Sequence, residues 1–126
     1  MRLLLDTPIL LWWLGDDPRL PPRAGALVAD RTNRIFVSPM SVWEIAIKSR
    51  LGKLAADIDE VITAALESGF APLPFTLDHA AAVARLPDHH RDPFDRALVA
   101  QASVEPLHLL RHDDVLAPYG ENVLLV

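Results

Sequence analysis

A chain of 126 residues has room for one domain around one hydrophobic core, and its 51 % hydrophobic and 23 % charged content excludes a disordered polar chain. The absence of cysteine removes disulfides, thiolate nucleophiles and cysteine-based zinc or iron–sulfur sites, and it suits a reducing compartment. The formal net charge of −5 argues against a long electrostatic grip on nucleic acid, so any such contact must be local, through a few arginines, a bound cation or a basic partner.

The chain opens with Leu3-Leu4-Leu5 ending at Asp6, a buried strand whose C-terminal edge carries an acid. The run is too short and too early interrupted for a signal peptide, and Ile9 to Leu14 is too short for a bilayer. The expectation is a cytoplasmic protein with no membrane contact. Pro8 suits the first turn of a helix through Leu14, and a second helix is expected near Arg23 to Asp30. Ile35-Phe36-Val37 reads as the next buried strand. Ser41-Val42-Trp43-Glu44 matches a capping box, with Ser41 as N-cap of a helix to about Arg50 whose apolar stripe is Trp43, Ile47 and Leu51.

Gly52 ends that helix, and Asp57 opens another that stops at Gly69. Phe70 to Pro74, with two prolines, suits an edge strand. Thr76 or Asp78 starts a helix from His79 to Leu86. Asp92-Pro93-Phe94-Asp95 supplies an N-cap, a proline at the first helical position and an acid at the third, for a helix that ends before Pro106. A strand over Leu107 to Leu110, a helical turn over Asp114 to Ala117 and a last strand over Asn122 to Val126 complete the pattern. Strands alternating with helices predict a three-layer α/β/α fold around a central parallel sheet of roughly four to five strands, in one undivided domain over residues 1–126.

In a parallel α/β fold the crevice lies beyond the C-terminal strand ends. Asp6 and Asp113 each follow a strand, and Glu44 and Asp95 sit in first helical turns that begin at the same edge, so all four acids fall where sites are built. Each also has a plainer reading. Asp6 could cap a helix, Glu44 and Asp95 could complete capping boxes, and Asp113 could be a solvated turn in competition with Asp114. Taken together, four carboxylates at one edge raise one another's pKa and need a cation. All-oxygen ligands of this kind suit Mg²⁺ or Mn²⁺, and a bound water could then serve as nucleophile toward a phosphodiester.

The segments Leu3-Leu4-Leu5-Asp6-Thr7, Ser41-Val42-Trp43-Glu44-Ile45-Ala46, His90-Arg91-Asp92-Pro93-Phe94-Asp95-Arg96 with Leu98 to Ala102, and Asp113 ahead of Tyr119-Gly120 resemble a PIN domain of the VapC-type toxin ribonucleases. The resemblance covers essentially the whole chain. It implies a metal-dependent endoribonuclease with Asp6, Glu44, Asp95 and Asp113 as catalytic and metal-binding acids and Thr7 as the hydroxyl beside the first. It also implies RNA as substrate, a cognate VapB-like antitoxin and a homodimer. Three positions depart from the family pattern. Pro8 stands where relatives carry histidine, Arg111 where they carry threonine, and Asp114 where a basic residue is common. Arg111 replaces a hydroxyl near the metal with a cation that could hold phosphate or compete with metal.

Arg91 and Arg96 flank Asp95 and are candidates for phosphate contact, against an i,i+4 pair between Asp92 and Arg96. Lys48, four residues after Glu44, has a local pair as its default and RNA as its alternative. His89 and His90 read as loop residues, and His79, His108 and His112 show no metal-ligand spacing. Trp12 and Trp13 cannot both face the core of one helix, so one is expected at a dimer or antitoxin surface. The reading that competes with the nuclease is a binding module that keeps the fold without catalysis, and a phosphatase or DNA nuclease would use the same metal logic.

Overall fold

The computed structural model describes residues 1–126. Five strands, β1 (Arg2–Leu5), β2 (Arg34–Val37), β3 (Ala71–Pro72), β4 (His108–Arg111) and β5 (Val123–Leu125), form one sheet in the order β3-β2-β1-β4-β5. Every pairing is parallel. The helices are α1 (Thr7–Leu14), α2 (Pro22–Ala29), α3 (Pro39–Arg50), α4 (Ile58–Glu67), α5 (Leu77–Arg85) and α6 (Pro93–Val104). None is long and apolar enough to cross a membrane.

The strands are apolar throughout because both faces of the sheet are covered, and their side chains alternate between two cores. Leu3, Leu5, Ile35, Val37 and Leu110 join Ile9 and Leu10 of α1, Val28 of α2, Ile45 of α3 and Val61 of α4 on one face. Leu4, Phe36 and Leu109 join Leu98, Val99 and Ala102 of α6 on the other. This is the expected three-layer α/β/α arrangement. β3 sits at an edge, where its proline costs no ladder bond.

Helix ends follow the sequence signals in most places. Asp57 caps α4, accepting from Asp59 N and Glu60 N, and glycines 52 and 69 take the left-handed conformation past the ends of α3 and α4, at φ 73° and 84°. Thr76 caps α5 in a reciprocal box in which histidine takes the usual carboxylate role. Thr76 Oγ1 accepts from His79 N while His79 Nδ1 accepts from Thr76 N.

Three local expectations are corrected. The helix after β2 begins at Pro39, not after Ser41, and Ser38 is the N-cap, its Oγ accepting from Met40 N at 3.0 Å. A serine followed by proline already provides a cap and a preset φ, so the earlier start wins. Ser41 therefore lies inside α3, and Glu44 is in its second turn, too far along to cap it. The buried face of α3 is Ser41, Glu44 and Ile45, whereas Trp43 and Leu51 of the anticipated stripe are exposed.

The turn near the C-terminus is a 3₁₀ segment at Ala117–Tyr119, displaced because Asp113 Oδ1 accepts from Val115 N at 2.7 Å and closes the preceding residues into a tight turn. Both tryptophans of α1 are half-buried on intramolecular partners. Trp13 packs on Phe70, and Trp12 meets His112 edge-on beneath the Arg19 guanidinium. Each ring thus packs within the chain on one side and lines a surface cleft on the other.

Replacement of Ser38 by alanine should lower stability by about 0.5–2 kcal/mol in urea denaturation, the cost of a lost N-cap. An unchanged midpoint would mean that Ser38 does not hold the start of α3.

Candidate functional site

From β1 the chain first builds outward through β2 and β3, then returns to the other side for β4 and β5. The C-terminal edge between β1 and β4 is thus the topological switch point, where open parallel sheets form their crevice. The register sets Leu5 beside Leu110, and Asp6 N donates to Leu110 O at 3.1 Å. Asp6 and Arg111 are therefore the next neighbours. Because Leu5 and Leu110 point into the α1–α4 core, alternation turns Asp6 and Arg111 toward the opposite face, where the first turn of α6 carries Asp95.

Arg111 Nη1 lies 3.3 Å from Asp6 Oδ1 and 3.1 Å from Asp95 Oδ1, and Nη2 lies 3.5 Å from Asp113 Oδ2. One guanidinium thus joins three acids from three separate segments. Asp6 is 3 % exposed and makes no side-chain capping bond, so the helix-cap reading does not account for it. Burial pushes its carboxyl up to about 7; the Arg111 charge and the Thr7 N–H work against that rise, while Asp95 and Glu44 add to it. Arg111 keeps its charge: burial opposes it, but Asp6, Asp95 and Asp113 hold it above the ordinary arginine range.

Asp95 is freed from capping by its neighbour, since Asp92 Oδ1 takes the N–H groups of Phe94 and Asp95. Its second oxygen lies 2.9 Å from His90 Nε2. Glu44 approaches from the other side of Asp6 and is 6 % exposed. Thr7 Oγ1 donates to Glu44 Oε1 at 2.8 Å and lies 3.0 Å from Ser41 Oγ, while Lys48 Nζ reaches Glu44 Oε2 at 2.6 Å, the i,i+4 pair expected from spacing. That bond holds the Lys48 ammonium above its usual pKa. Asp113 is the loosest of the four acids, half-exposed at the mouth, with its carboxyl held low by the Val115 N–H and then by Arg111.

All four acids named from the sequence therefore come to one edge of the sheet, grouped around Arg111 and Thr7. Arg96 takes a different role: its guanidinium donates to the carbonyls of Val83, Leu86, Pro87 and His90 and to Tyr119 Oη, which ties the loop before α6 to the helix. It forms neither the pair with Asp92 nor a free fork for phosphate. Arg91 is exposed and lines a shallow hollow with Asp88 and His90.

Ser41 and His90 were not singled out as site residues. His90 sits in a loop with no helical spacing to Asp95, and no sequence periodicity links the two. The capping-box pattern draws Ser41 to a cap that Ser38 in fact supplies.

The donor set, carboxylate oxygens only, has the chemistry of a hard divalent-cation site. With Arg111 placed among the acids, their present spacing does not admit one. No three His, Asp or Glu side chains are grouped closely enough to hold an ion, and Arg111 Nη1 stands between Asp6 and Asp95.

The fold is similar to that of a chain in the structure of VapBC2 from Rickettsia felis bound to a promoter DNA fragment, with a TM-score of 0.70 at 15 % identity over 100 % of this chain and 98 % of that one. It is similar also to a chain of VapBC-1 from nontypeable Haemophilus influenzae (TM-score 0.66, 15 % identity, 100 % and 97 % covered) and to one of FitAcB from Neisseria gonorrhoeae (TM-score 0.63, 19 % identity, 98 % and 96 % covered). At these identities the likeness is one of fold. No curated protein matches the sequence. The family described as PIN domain matches residues 3–121, nearly the whole chain, and the protein belongs to that family.

Proposed function

We propose that this protein is an endoribonuclease whose catalytic centre is formed by Asp6, Glu44, Asp95 and Asp113, that Mg²⁺ or Mn²⁺ completes the centre, and that a VapB-like antitoxin holds it inactive. The observation that carries the reading is the placement of Asp6. A carboxyl is buried at the switch point beside a second acid that shares its one close cation, an arrangement that costs stability and that folds retain where chemistry needs it. Membership of the PIN family supplies the reaction class by analogy. Thr7 and Lys48 hold the two oxygens of Glu44, and His90 and Arg111 hold those of Asp95, so each acid has a defined orientation.

Local phosphate contact is supported by a cleft of about 490 Å³ beside Glu44, where Arg19 and Lys48 are paired with Asp17 and Glu44 and Lys53 adds a cation in an otherwise acidic protein. The antitoxin is assigned to a second feature. An apolar groove of about 370 Å³ runs between α3 and α4, lined by Val42, Trp43, Ala46, Ile62 and Leu66, with Trp43 56 % exposed. Self-association into a dimer belongs to the same reading and is measurable by sedimentation.

One observation favours the competing reading, a partner-binding module without catalysis: the protein's own Arg111 occupies the acid cluster. The two readings separate in a cleavage assay with structured and single-stranded RNA, single-stranded DNA and a phosphomonoester, in the presence of Mn²⁺. RNA should be cut, chelation by EDTA should stop the reaction, and Asp6→Asn or Glu44→Gln should each reduce the rate at least about 100-fold. No cleavage by the wild type with ample metal, or full activity of Asp6→Asn, would sink the nuclease reading.

The raised Asp6 pKa also gives a sign for stability. Burial pushes the Asp6 carboxyl of the metal-free folded protein up to about 7, whereas in the unfolded chain it returns to the ordinary aspartate value of 3.8. The unfolded state therefore binds fewer protons across this window, and stability contributed by Asp6 falls as pH rises from about 4 to 7. Asp6→Asn cannot titrate. Its stability relative to wild type should improve steadily over that range in urea melts with EDTA, and a constant difference would show that Asp6 titrates normally.

Trp43→Ala should weaken binding to a cognate VapB-like antitoxin at least tenfold in calorimetry, as expected for a central aromatic anchor. Undiminished binding would place that partner elsewhere.

A further inference from the structure

We infer that Arg111 is a tethered cation that occupies the position a divalent ion would share between Asp6 and Asp95, so that the ion enters only as the guanidinium withdraws. The inference rests on reading these acids as a divalent-ion centre and adds how access to that centre is set.

The geometry of Arg111 is unlike that of a structural arginine. Its three contacts go to three different acids, one each, at 3.1, 3.3 and 3.5 Å, and no carboxylate is held through both oxygens. Charge-assisted N–H···O bonds ordinarily lie at about 2.7–2.9 Å. Elsewhere in this protein Arg19 meets Asp17 at 2.8 Å, and Lys48 meets Glu44 closer still, at 2.6 Å. Arg111 Nε is buried with no acceptor at all. Arg96, by contrast, spends its guanidinium on four carbonyls and a phenol. Arg111 is thus a loosely bonded countercharge at the centre of an acid cluster.

The same distances make coexistence impossible at that point. Oxygen ligands stand about 2.0–2.1 Å from Mg²⁺. Asp6 and Asp95 would have to close on an ion by roughly 1 Å each relative to their present separation from Nη1. An ion between them and Nη1 between them are alternatives. The half-exposed Asp113, in contact with Nη2, marks the open side toward which the guanidinium can withdraw. Removal of the arginine would leave two close acids without their countercharge and strengthen their demand for a cation.

The test is a Mn²⁺ titration of the intact chain by calorimetry at pH 8, comparing wild type with Arg111→Thr, together with thermal melts in EDTA and in Mn²⁺. Arg111→Thr should bind Mn²⁺ at least tenfold more tightly, melt lower than wild type in EDTA, and regain more of its melting temperature than wild type does when Mn²⁺ is added. Equal or weaker Mn²⁺ binding by Arg111→Thr overturns the exchange while leaving the divalent-ion centre intact. Absence of Mn²⁺ binding by both proteins overturns the exchange and the metal reading together. Should Arg111→Thr fail to fold, the wild type answers alone through NMR of protein labelled with ¹⁵N-arginine. The Arg111 Nε–H resonance should move with Mg²⁺ along the calorimetric binding curve, and a resonance unmoved at saturating Mg²⁺ overturns the inference.

Discussion

The pairing of β1 with β4 in parallel, with Leu5 set against Leu110, is the constraint on which the acidic edge depends. It makes Asp6 and Arg111 neighbours at the end of the sheet and directs both toward the start of α6. A slip by one residue would send each of them to the other face, into the leucine-rich core beneath α1. The hydrophobic pattern of the two strands forbids that slip. The apolar residues that stabilise the sheet therefore also locate the most deeply buried acid and the cation that meets it.

Around that pair the chain spends small polar groups to keep larger ones free. Asp92 caps α6 so that Asp95 need not, and Ser38 caps α3 so that Ser41 and Glu44 can turn inward. Thr7, at the first position of α1, holds Glu44 rather than its own helix. Arg96 pins the loop that carries His90, and His90 in turn holds Asp95. The acids are oriented by neighbours whose own positions are set by helix starts and by backbone carbonyls, which are the more rigid parts of such a fold.

The outer surface divides in the same economical way. Basic residues gather in the cleft beside Glu44, and the exposed apolar side chains of α3 and α4 gather in a groove on another side. A net acidic protein thus keeps three basic side chains beside Glu44, two of them paired with acids, and presents an apolar face where Trp43 stands exposed.

The amino-acid sequence by itself determined the element order, the parallel three-layer class, most helix ends and the four acids at one edge. Each of these follows from local periodicity, capping chemistry or the side of a strand on which a residue falls. It misplaced the start of α3, because Ser38-Pro39 and Ser41 through Glu44 both carry start signals and the earlier one, a capping serine followed by proline, prevails. It treated Arg96 as a candidate for phosphate and His90 as a plain loop residue. The carbonyls that saturate Arg96 and the acid that meets His90 come from turns whose shape no periodicity encodes. For Arg111 the sequence left two roles open. Only the tertiary structure set its guanidinium among Asp6, Asp95 and Asp113, because that contact joins segments far apart in the chain and depends on strand register and helix placement together.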